Sequence, residues 1–135
     1  MATNKSYGSE PPGVTVHASG YSVKETISRI GNFLTQQGVT IYARIDQQNE
    51  VEKNGGKLAP LEFLLFGNPK AGGPVMQEKP VAALDLPLKV IAWQDEQGQV
   101  WVAYNQSEYI KDRYGLSAET SAKLNLDGAI AKALA

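Results

Sequence analysis

The sequence predicts one α+β domain in which helices cover one face of an antiparallel sheet. Two observations support this class. A strongly amphipathic helix follows the first strand, and four more strand-like segments precede a helical C-terminal part. Segments joined by short links pair antiparallel, so this order indicates a five-stranded antiparallel sheet. A chain of 135 residues is long enough to bury the core of one such domain.

The first strand and the first helix come after residues 1–12, which are polar, rich in Pro, Gly and Ser, and predicted to form a flexible leader. Val14–Ser19 alternates apolar and polar side chains, as a half-buried strand does. Ser22 and Glu25 have the spacing of a capping box, which predicts a helix over Val23–Gln37. The apolar stripe of this helix consists of Val23, Ile27, Ile30 and Leu34.

Two strands and a long connection are predicted in the middle of the chain. Val39–Asp46 alternates again and forms the second strand, and the polar Gln47–Lys53 is predicted as a short exposed helix or a loop. Leu61–Phe66 is apolar on both faces after its second residue, as in a central strand or one covered by a partner. Gly67–Pro80 contains several glycines and prolines and is predicted as an irregular loop with at most one helical turn.

A hairpin and further helices are predicted in the last part. Leu88–Trp93 and Gln99–Tyr104 flank a glycine-containing turn, which indicates the fourth and fifth strands. Asn105 is predicted to cap a short helix, and Ser117–Ala133 has a helical composition interrupted by an Asp-Gly pair. The sequence contains no internal repeat and no change in composition that indicates a second domain, so residues 13–135 are predicted to form a single domain.

Composition excludes several classes of function. The net charge is only −1 and lysines and arginines do not cluster, so no nucleic-acid partner is predicted. The absence of cysteine excludes disulfides, thiolate zinc sites and cysteine nucleophiles. No apolar run approaches the roughly 20 residues of a membrane span. No stretch of signal-peptide type opens the chain, which predicts a cytoplasmic protein, or a periplasmic or secreted one if a signal peptide has been removed.

Several segments resemble the bacterial family called domain of unknown function 302. They are Val39–Asp46, Pro60–Pro69, Gly73–Met76, Ala83–Val90, Trp93 and Val100–Tyr104. The resemblance covers about Val14 to Leu116 and leaves 117–135 as a C-terminal helical extension. It implies a five-stranded antiparallel sheet with helices on one side, similar in fold to the TATA-binding protein, and a homodimer. It implies no established activity.

Carboxylates near the end of the second strand offer an enzymatic alternative. Asp46 or Glu62 is a candidate general base, although a solvated charged surface explains the same residues. The family resembled here commonly has Asp-His at this strand end, where this chain has Asp46 and Gln47. We therefore transfer no histidine role to Gln47, and we predict no catalytic residue in the leading interpretation.

Three other features have both a functional and an ordinary explanation. The glycine-rich segment Gly67–Pro74, with Lys70, is suited to holding an anion, but a turn is the favoured explanation because the segment lacks the ending of a phosphate-binding loop. His17 is the only histidine and has no second ligand type beside it, so a surface or interface role is expected. Met76 is expected to fill an apolar gap. No metal site and no cofactor are predicted.

An aromatic surface is predicted on the sheet face opposite the helices. Tyr42, Trp93 and Trp101 project there if the strand faces follow the alternation, and such a surface usually binds a partner or ligand. The alternative is that the segment Gly67–Pro80 covers it.

A ligand pocket is predicted beside this loop. Its candidate residues are Asn68, Gly67, Met76, Trp93, Tyr42 and Asp46. Pro69 restricts Asn68 to extended conformations, which leaves the amide free to orient a ligand between Met76 and Trp93, unless the amide binds its own backbone. The sequence thus predicts a homodimeric domain that binds a small molecule or a protein and has no established catalytic activity.

Overall fold

Five strands form the sheet of the computed structural model, which describes residues 5–135. They are β1 Val14–Ser19, β2 Thr40–Asp46, β3 Leu61–Gly67, β4 Leu88–Gln94 and β5 Val100–Asn105. All neighbouring strands pair antiparallel in the order β1-β5-β4-β3-β2, so the predicted five-stranded antiparallel sheet is confirmed. The first four residues of the predicted leader lie outside the described part.

Helices occupy the connections and the C-terminal part. They are α1 Val23–Gln36, α2 Gln47–Lys53, α3 Pro69–Glu78, the 3₁₀ helix Pro80–Asp85, α4 Ser107–Tyr114, α5 Ala118–Ala122 and α6 Asp127–Leu134. The Ser22 hydroxyl accepts the backbone N–H of Glu25 at 3.1 Å, so the predicted cap of α1 is confirmed. The predicted α+β class is therefore confirmed as well.

The main core lies between one face of the sheet and helices α1 and α6. The even-numbered residues of β3, β4 and β5 point to this face, and α1 contributes its predicted apolar stripe. Fully buried members of this core include Ile27, Ile30, Leu64, Val90, Val102 and Ile130. Burying one such side chain stabilises the fold by about 1.5–3 kcal/mol, so this layer holds both α1 and α6 on the sheet.

Strict alternation along β2 puts Ile41, Ala43 and Ile45 on one face of the sheet, and this prediction is wrong for half of the strand. The pairing register with β3 shifts between Ile41 and Ala43, which makes Tyr42 the extra residue of a β-bulge. Ile41 pairs with Phe66 on the helix-covered side, whereas Ala43 pairs with Leu65 on the other side. A bulge reverses the alternation beyond it, and strict alternation cannot predict that reversal.

The predicted loop over Gly67–Pro80 is also wrong, because most of it is helical. Helix α3 covers ten residues and continues into the 3₁₀ helix. Its start has an Asn68 cap and Pro69 in the first turn, both favourable at a helix N-terminus, and Val75 is completely buried. Tertiary burial of Val75 thus outweighs the low helix propensity of the glycines and of Pro74, which lies inside the helix.

Two further predictions need correction near the C-terminus. Asn105 is the last residue of β5 rather than a helix cap, and Gln106 at the cap position of α4 makes no side-chain capping bond. The predicted helical stretch Ser117–Ala133 is divided into α5 and α6, and Asp127 begins α6 instead of interrupting a helix. An aspartate in the first turn is favoured by the positive end of the helix dipole.

A second, smaller core joins α3, the 3₁₀ helix, α4 and α5. It contains Val75, Ala82, Ile110, Tyr114, Leu116 and Leu124. Polar contacts connect the same helices, since the Glu78 carboxylate accepts the backbone N–H of Ser117 at 2.7 Å. That bond lowers the pKa of Glu78. The helices at this end of the sheet therefore form one packed unit.

The second face of the sheet, called the open face below, carries apolar side chains that belong to neither core cluster. It includes Val16, Ala43, Phe63, Leu65, Ile91, Trp93, Trp101 and Ala103. Tyr7 packs edge-on against both tryptophans, with ring centroids 5.5 Å from Trp93 and 5.2 Å from Trp101. The described part of the leader thus covers a portion of the open face.

Candidate ligand-binding site

A cavity of about 510 Å³ lies beside the main core, at the end of the sheet where β3 runs into α3. The C-terminal part of α1, the first turns of α3, the segment before β4 and the α5–α6 region surround it. Its apolar lining includes Phe33, Val39, Phe66, Leu86, Leu124 and Leu126. The size and apolar character are typical of small-molecule sites, which usually measure about 300 to 1,000 Å³.

The turn from β3 into α3 forms one wall of the cavity. The side-chain oxygen of Asn68 accepts the backbone N–H of Lys70 at 3.0 Å and thereby caps α3. The amide oxygen is thus engaged with the backbone, as the second explanation of Asn68 expected, and a role toward a ligand stays a prediction. Gly67 lies against Tyr42, because a Cβ atom there would come within 3.2 Å of the Tyr42 ring. Glycine therefore allows the bulged Tyr42 to pack beside the cavity.

The charged side chains in the cavity lining are both lysines. Lys123 follows α5 and Lys132 lies in the last turn of α6, and both are exposed at the rim. Gln37 and Asn125 add polar groups. Among the described residues, neither lysine forms an ion pair. The cavity therefore combines an apolar interior with an uncompensated positive rim.

Four of the six predicted pocket residues meet at this cavity, and two do not. Gly67, Asn68, Met76 and Tyr42 line it. Trp93 lies on the open face, where it pairs with Trp101 across β4 and β5. Asp46 is at the opposite end of β2 from the cavity. The prediction that Trp93 forms an apolar wall is wrong, because β4 is antiparallel to β3 and carries Trp93 away from the start of α3.

Asp46 and Glu62 belong to a charged cluster at the far end of β2 and β3. Glu62 is 3% exposed, and its two oxygens accept from Arg44 Nε at 2.9 Å and from Lys24 Nζ at 3.2 Å. The Asp46 carboxylate accepts the backbone N–H of Asn49 at 2.9 Å and a hydrogen bond from Lys24 Nζ at 3.2 Å. The Asn49 bond and the Lys24 charge lower the pKa of Asp46. A lowered pKa makes Asp46 a weak general base.

His17 takes part in a hydrogen-bonded chain beneath α6. Its Nε2 lies 3.1 Å from the Tyr104 hydroxyl, which donates to the Asp127 carboxylate. Burial and the bond to Asp127 raise the pKa of Tyr104 far above its usual value. The chain connects β1 and β5 to the first residue of α6, so it positions one wall of the cavity rather than reaching into it.

Sequence reasoning missed the part of the cavity contributed by the C-terminal helices. Leu124, Leu126 and Ala129 line it, together with the two rim lysines. The available signal was the spacing of apolar residues from Leu124 to Leu134, which continues the pattern of a core-facing segment. Treating 117–135 as an extension hid this contribution.

Within residues 5–135, no group of three or more His, Asp or Glu side chains is placed to hold a metal ion. None of the helices in this range has the length and apolar character required to cross a membrane.

Comparison with solved structures supports the fold. The crystal structure of an uncharacterised conserved DUF302 protein from Bacillus stearothermophilus superposes with a TM-score of 0.77, over 92% of this chain and 97% of that one. The sequence identity is 18%, so this likeness concerns the fold alone. Similarity to the TATA-binding protein stays a prediction.

Curated relatives are similar over much of this chain. A fluoride-specific ion channel FluC 1 from Brucella suis biovar 1 (strain 1330) is 34% identical over 118 residues, which is 86% of this chain and 46% of that protein. FluC 1 from Brucella abortus biovar 1 (strain 9-941) is 34% identical over the same length, covering 44% of its own chain. This chain thus spans less than half the length of these relatives.

The family match covers both cores and the cavity. The model of the family described as domain of unknown function DUF302 matches residues 14–133. The match continues past Leu116, so it includes α5 and most of α6 with the residues they contribute to the cavity. The chain belongs to the DUF302 family.

Proposed function

We propose that this domain binds a small, largely apolar molecule in the cavity between α1, α3 and α6. The supporting observation is the cavity itself, which measures about 510 Å³ and has an apolar lining with a few polar groups around it. Such a combination is typical of ligand sites, because apolar area provides affinity and isolated polar groups provide orientation. Gln37, Asn68 and Asn125 are the amide side chains of the lining, and the amide NH₂ groups of Asn68 and Asn125 make no hydrogen bond among the described residues.

Binding is favoured over catalysis because the candidate bases lie elsewhere. The alternative with Asp46 or Glu62 as general base needs one of them beside a cleft, with a pKa near the working pH. Neither lines the cavity, and both are engaged by Lys24. Since the four predicted residues that do line the cavity supply no nucleophile with a base beside it, the geometry is better suited to holding a molecule than to transforming it.

A thermal-shift screen with two variants of one glycine tests the proposal. A Cβ atom at Gly72 would have Leu86 and Met76 as neighbours at 3.9 Å, so alanine fits and leucine extends into the cavity. Both substitutions replace a glycine within α3, so each should stabilise the ligand-free protein by about 0.5–1 kcal/mol. A compound at 100 times its Kd should stabilise the parent and Gly72→Ala by about 2.7 kcal/mol.

Gly72→Leu should be as stable as Gly72→Ala without compound and should lose most of the stabilisation by the same compound. The proposal is wrong if a broad screen of small organic molecules finds no stabilising compound for the parent. It is also wrong if Gly72→Leu responds to every hit as strongly as Gly72→Ala does, because the hits then bind outside the cavity.

We also propose that two copies associate through the open face. On β1, the apolar residues Val14, Val16 and Ala18 point to this face, whereas Thr15 and His17 point to the helix-covered side. An alternating strand normally buries its apolar side, so this inverted orientation favours a covered open face. Ala43 and Ile45 have the same orientation on β2.

A second copy is the occupant that fits this face best. The face extends across all five strands and carries both tryptophans, against which Tyr7 packs, and Lys89 is an exposed charged residue on it. Aromatic side chains are enriched and charges depleted at the centres of stable interfaces. A face that is identical on both copies can form a two-fold contact without any further partner.

Light scattering tests this association. The parent should have about twice the mass of one chain, and Ile91→Asp at the middle of the face should have the mass of one chain, because a buried unpaired carboxylate opposes association. The control is Leu84→Asp, which changes a leucine that is 74% exposed on the 3₁₀ helix and should leave the dimer intact. A parent that is monomeric at tens of micromolar contradicts the proposal.

A further inference from the structure

We infer that the cavity selects an organic acid with an apolar body, held by Lys123 and Lys132 at the rim. The inference rests on the proposed binding function and names the chemical class of its ligand. The volume of the cavity does not indicate whether its ligand is charged. The two lysines at the rim indicate an anionic ligand.

The rim of the cavity is positively charged. The charged residues in the described lining are Lys123 and Lys132, and no carboxylate accompanies them. Two ammonium groups at one opening repel a cationic ligand and attract an anionic one. Because the rim is exposed, water and salt weaken this attraction. The lysines therefore contribute more to discrimination between anionic and cationic ligands than to the affinity itself.

Five cations of the described residues pair with a carboxylate, namely Lys24, Arg29, Arg44, Lys53 and Arg113. The rim lysines make no such pair within this part of the chain, as is also true of six other lysines, and what distinguishes Lys123 and Lys132 is that both line the cavity. Glu119 and Asp127 each lie four positions from Lys123, and neither makes an ion pair with a rim lysine. Asp127 instead accepts the Tyr104 hydroxyl beneath α6. The ordinary explanation is that a cation near a helix C-terminus is favoured by the helix dipole. That explanation does not account for both lysines opening onto one apolar cavity.

The apolar interior of the cavity requires an apolar part of the ligand. Phe33, Phe66, Leu124 and Leu126 present hydrocarbon to the interior, and a small inorganic anion would leave that surface in contact with water. A long lysine stem also allows the ammonium to remain solvated while it contacts a head group at the rim. An acid with its chain inside and its head between the lysines satisfies both parts of the site.

Three probes with the same ten-carbon chain separate charge from hydrophobicity. Decanoate, decanol and decyltrimethylammonium should be titrated into the parent by calorimetry at low and at physiological salt. We expect decanoate to bind roughly tenfold more tightly than decanol, and the cation more weakly than decanol. Added salt should weaken decanoate and leave decanol unchanged.

The lysine variants locate the effect. K123Q/K132Q should weaken decanoate roughly tenfold while decanol binds as it does to the parent. The matched control is K57Q/K111Q, which removes two charges from residues outside the lining. Asn68→Asp gives a second test, because aspartate caps a helix as well as asparagine does but adds a negative charge beside the cavity. It should weaken decanoate and spare decanol.

The results distinguish this inference from the proposed function. If decanol and decyltrimethylammonium bind as tightly as decanoate, or if K123Q/K132Q keeps the affinity of the parent for decanoate, the charge selection is wrong and the cavity remains a binding site. If none of the three probes binds and Gly72→Leu behaves like Gly72→Ala toward every screened compound, the binding function fails and this inference fails with it.

Discussion

The two ends of the β2–β3 pair use polar residues in opposite ways. At the end formed by Asp46 and Glu62, every carboxylate oxygen has a donor, and neither residue lines the cavity. At the end formed by Tyr42 and Gly67, the cavity is open, its lining is mostly apolar, and its lysines are unpaired among the described residues. The two candidate general bases are thus engaged by side chains and backbone of the fold, and two of the lysines without an ion pair lie at the other end of the same strands.

The contrast shows that titratable residues alone do not locate a functional site. A carboxylate that accepts several charged or backbone donors stabilises the fold and has little capacity left for a substrate. Empty volume combined with unpaired charge identifies a surface whose partner lies outside the chain. In this protein the two criteria select different ends of the sheet.

The largest effect is expected from removing a cation at the charged end. Arg44→Met should lower the free energy of unfolding by about 2–3 kcal/mol, because Glu62 is buried and would retain only the more exposed Lys24. Urea denaturation measures this loss. Lys53→Met is the control, since its pair with Glu50 is exposed on both sides and should contribute less than about 1 kcal/mol. Equal effects of the two substitutions would contradict the structural role assigned to the Glu62 cluster.

An intermediate effect is expected at the cavity end. Asn68→Ala removes the cap of α3 and should cost about 1 kcal/mol, whereas Asn68→Asp should keep the stability of the parent. Thermal unfolding without any ligand measures both. If Asn68→Ala has the melting temperature of the parent, the amide does not cap α3 and is free to act on a ligand, as the sequence first indicated.

The smallest effect concerns acid pH. The folded-state pKa of Asp46 is lowered, so its contribution to stability is present above the unfolded value of about 4 and is lost as the pH falls through the folded value. Asp46→Asn retains a helix cap but loses the charge facing Lys24, so it should be less stable than the parent by about 0.5 kcal/mol at pH 7. The difference should vanish near pH 2. A difference that persists at pH 2 would mean that the charge of Asp46 is not its cause.

Local patterns predicted much of the fold, and long-range contacts account for what they missed. The cap at Ser22 and the stripe of α1 lie within one helix, so the sequence contains all the information needed to predict it. Helix α3 depends on the burial of Val75 against residues of α4 and α5, which no local pattern contains. The bulge at Tyr42 is likewise set by the pairing with β3.

The candidate site was predicted in part for the same reason. Gly67, Asn68, Met76 and Tyr42 are close along the β3–α3 region or paired with it, so a pattern read near that turn could group them. Trp93 was grouped with them by chemistry alone, and the sheet places it elsewhere. The rim lysines come from the end of α5 and from α6, and α6 packs against α1 only in the completed core.

The position of both tryptophans has a spectroscopic consequence. Trp93 and Trp101 are the only tryptophans of the chain, and both lie on the open face beside Tyr7, with the Trp101 indole N–H donating to Asp95 at 2.8 Å. Neither lines the cavity. Intrinsic fluorescence excited at the indole band should therefore change when two copies separate and remain constant when a ligand fills the cavity. Tryptophan fluorescence should thus report the proposed association of two copies and should not respond to the proposed binding of a ligand.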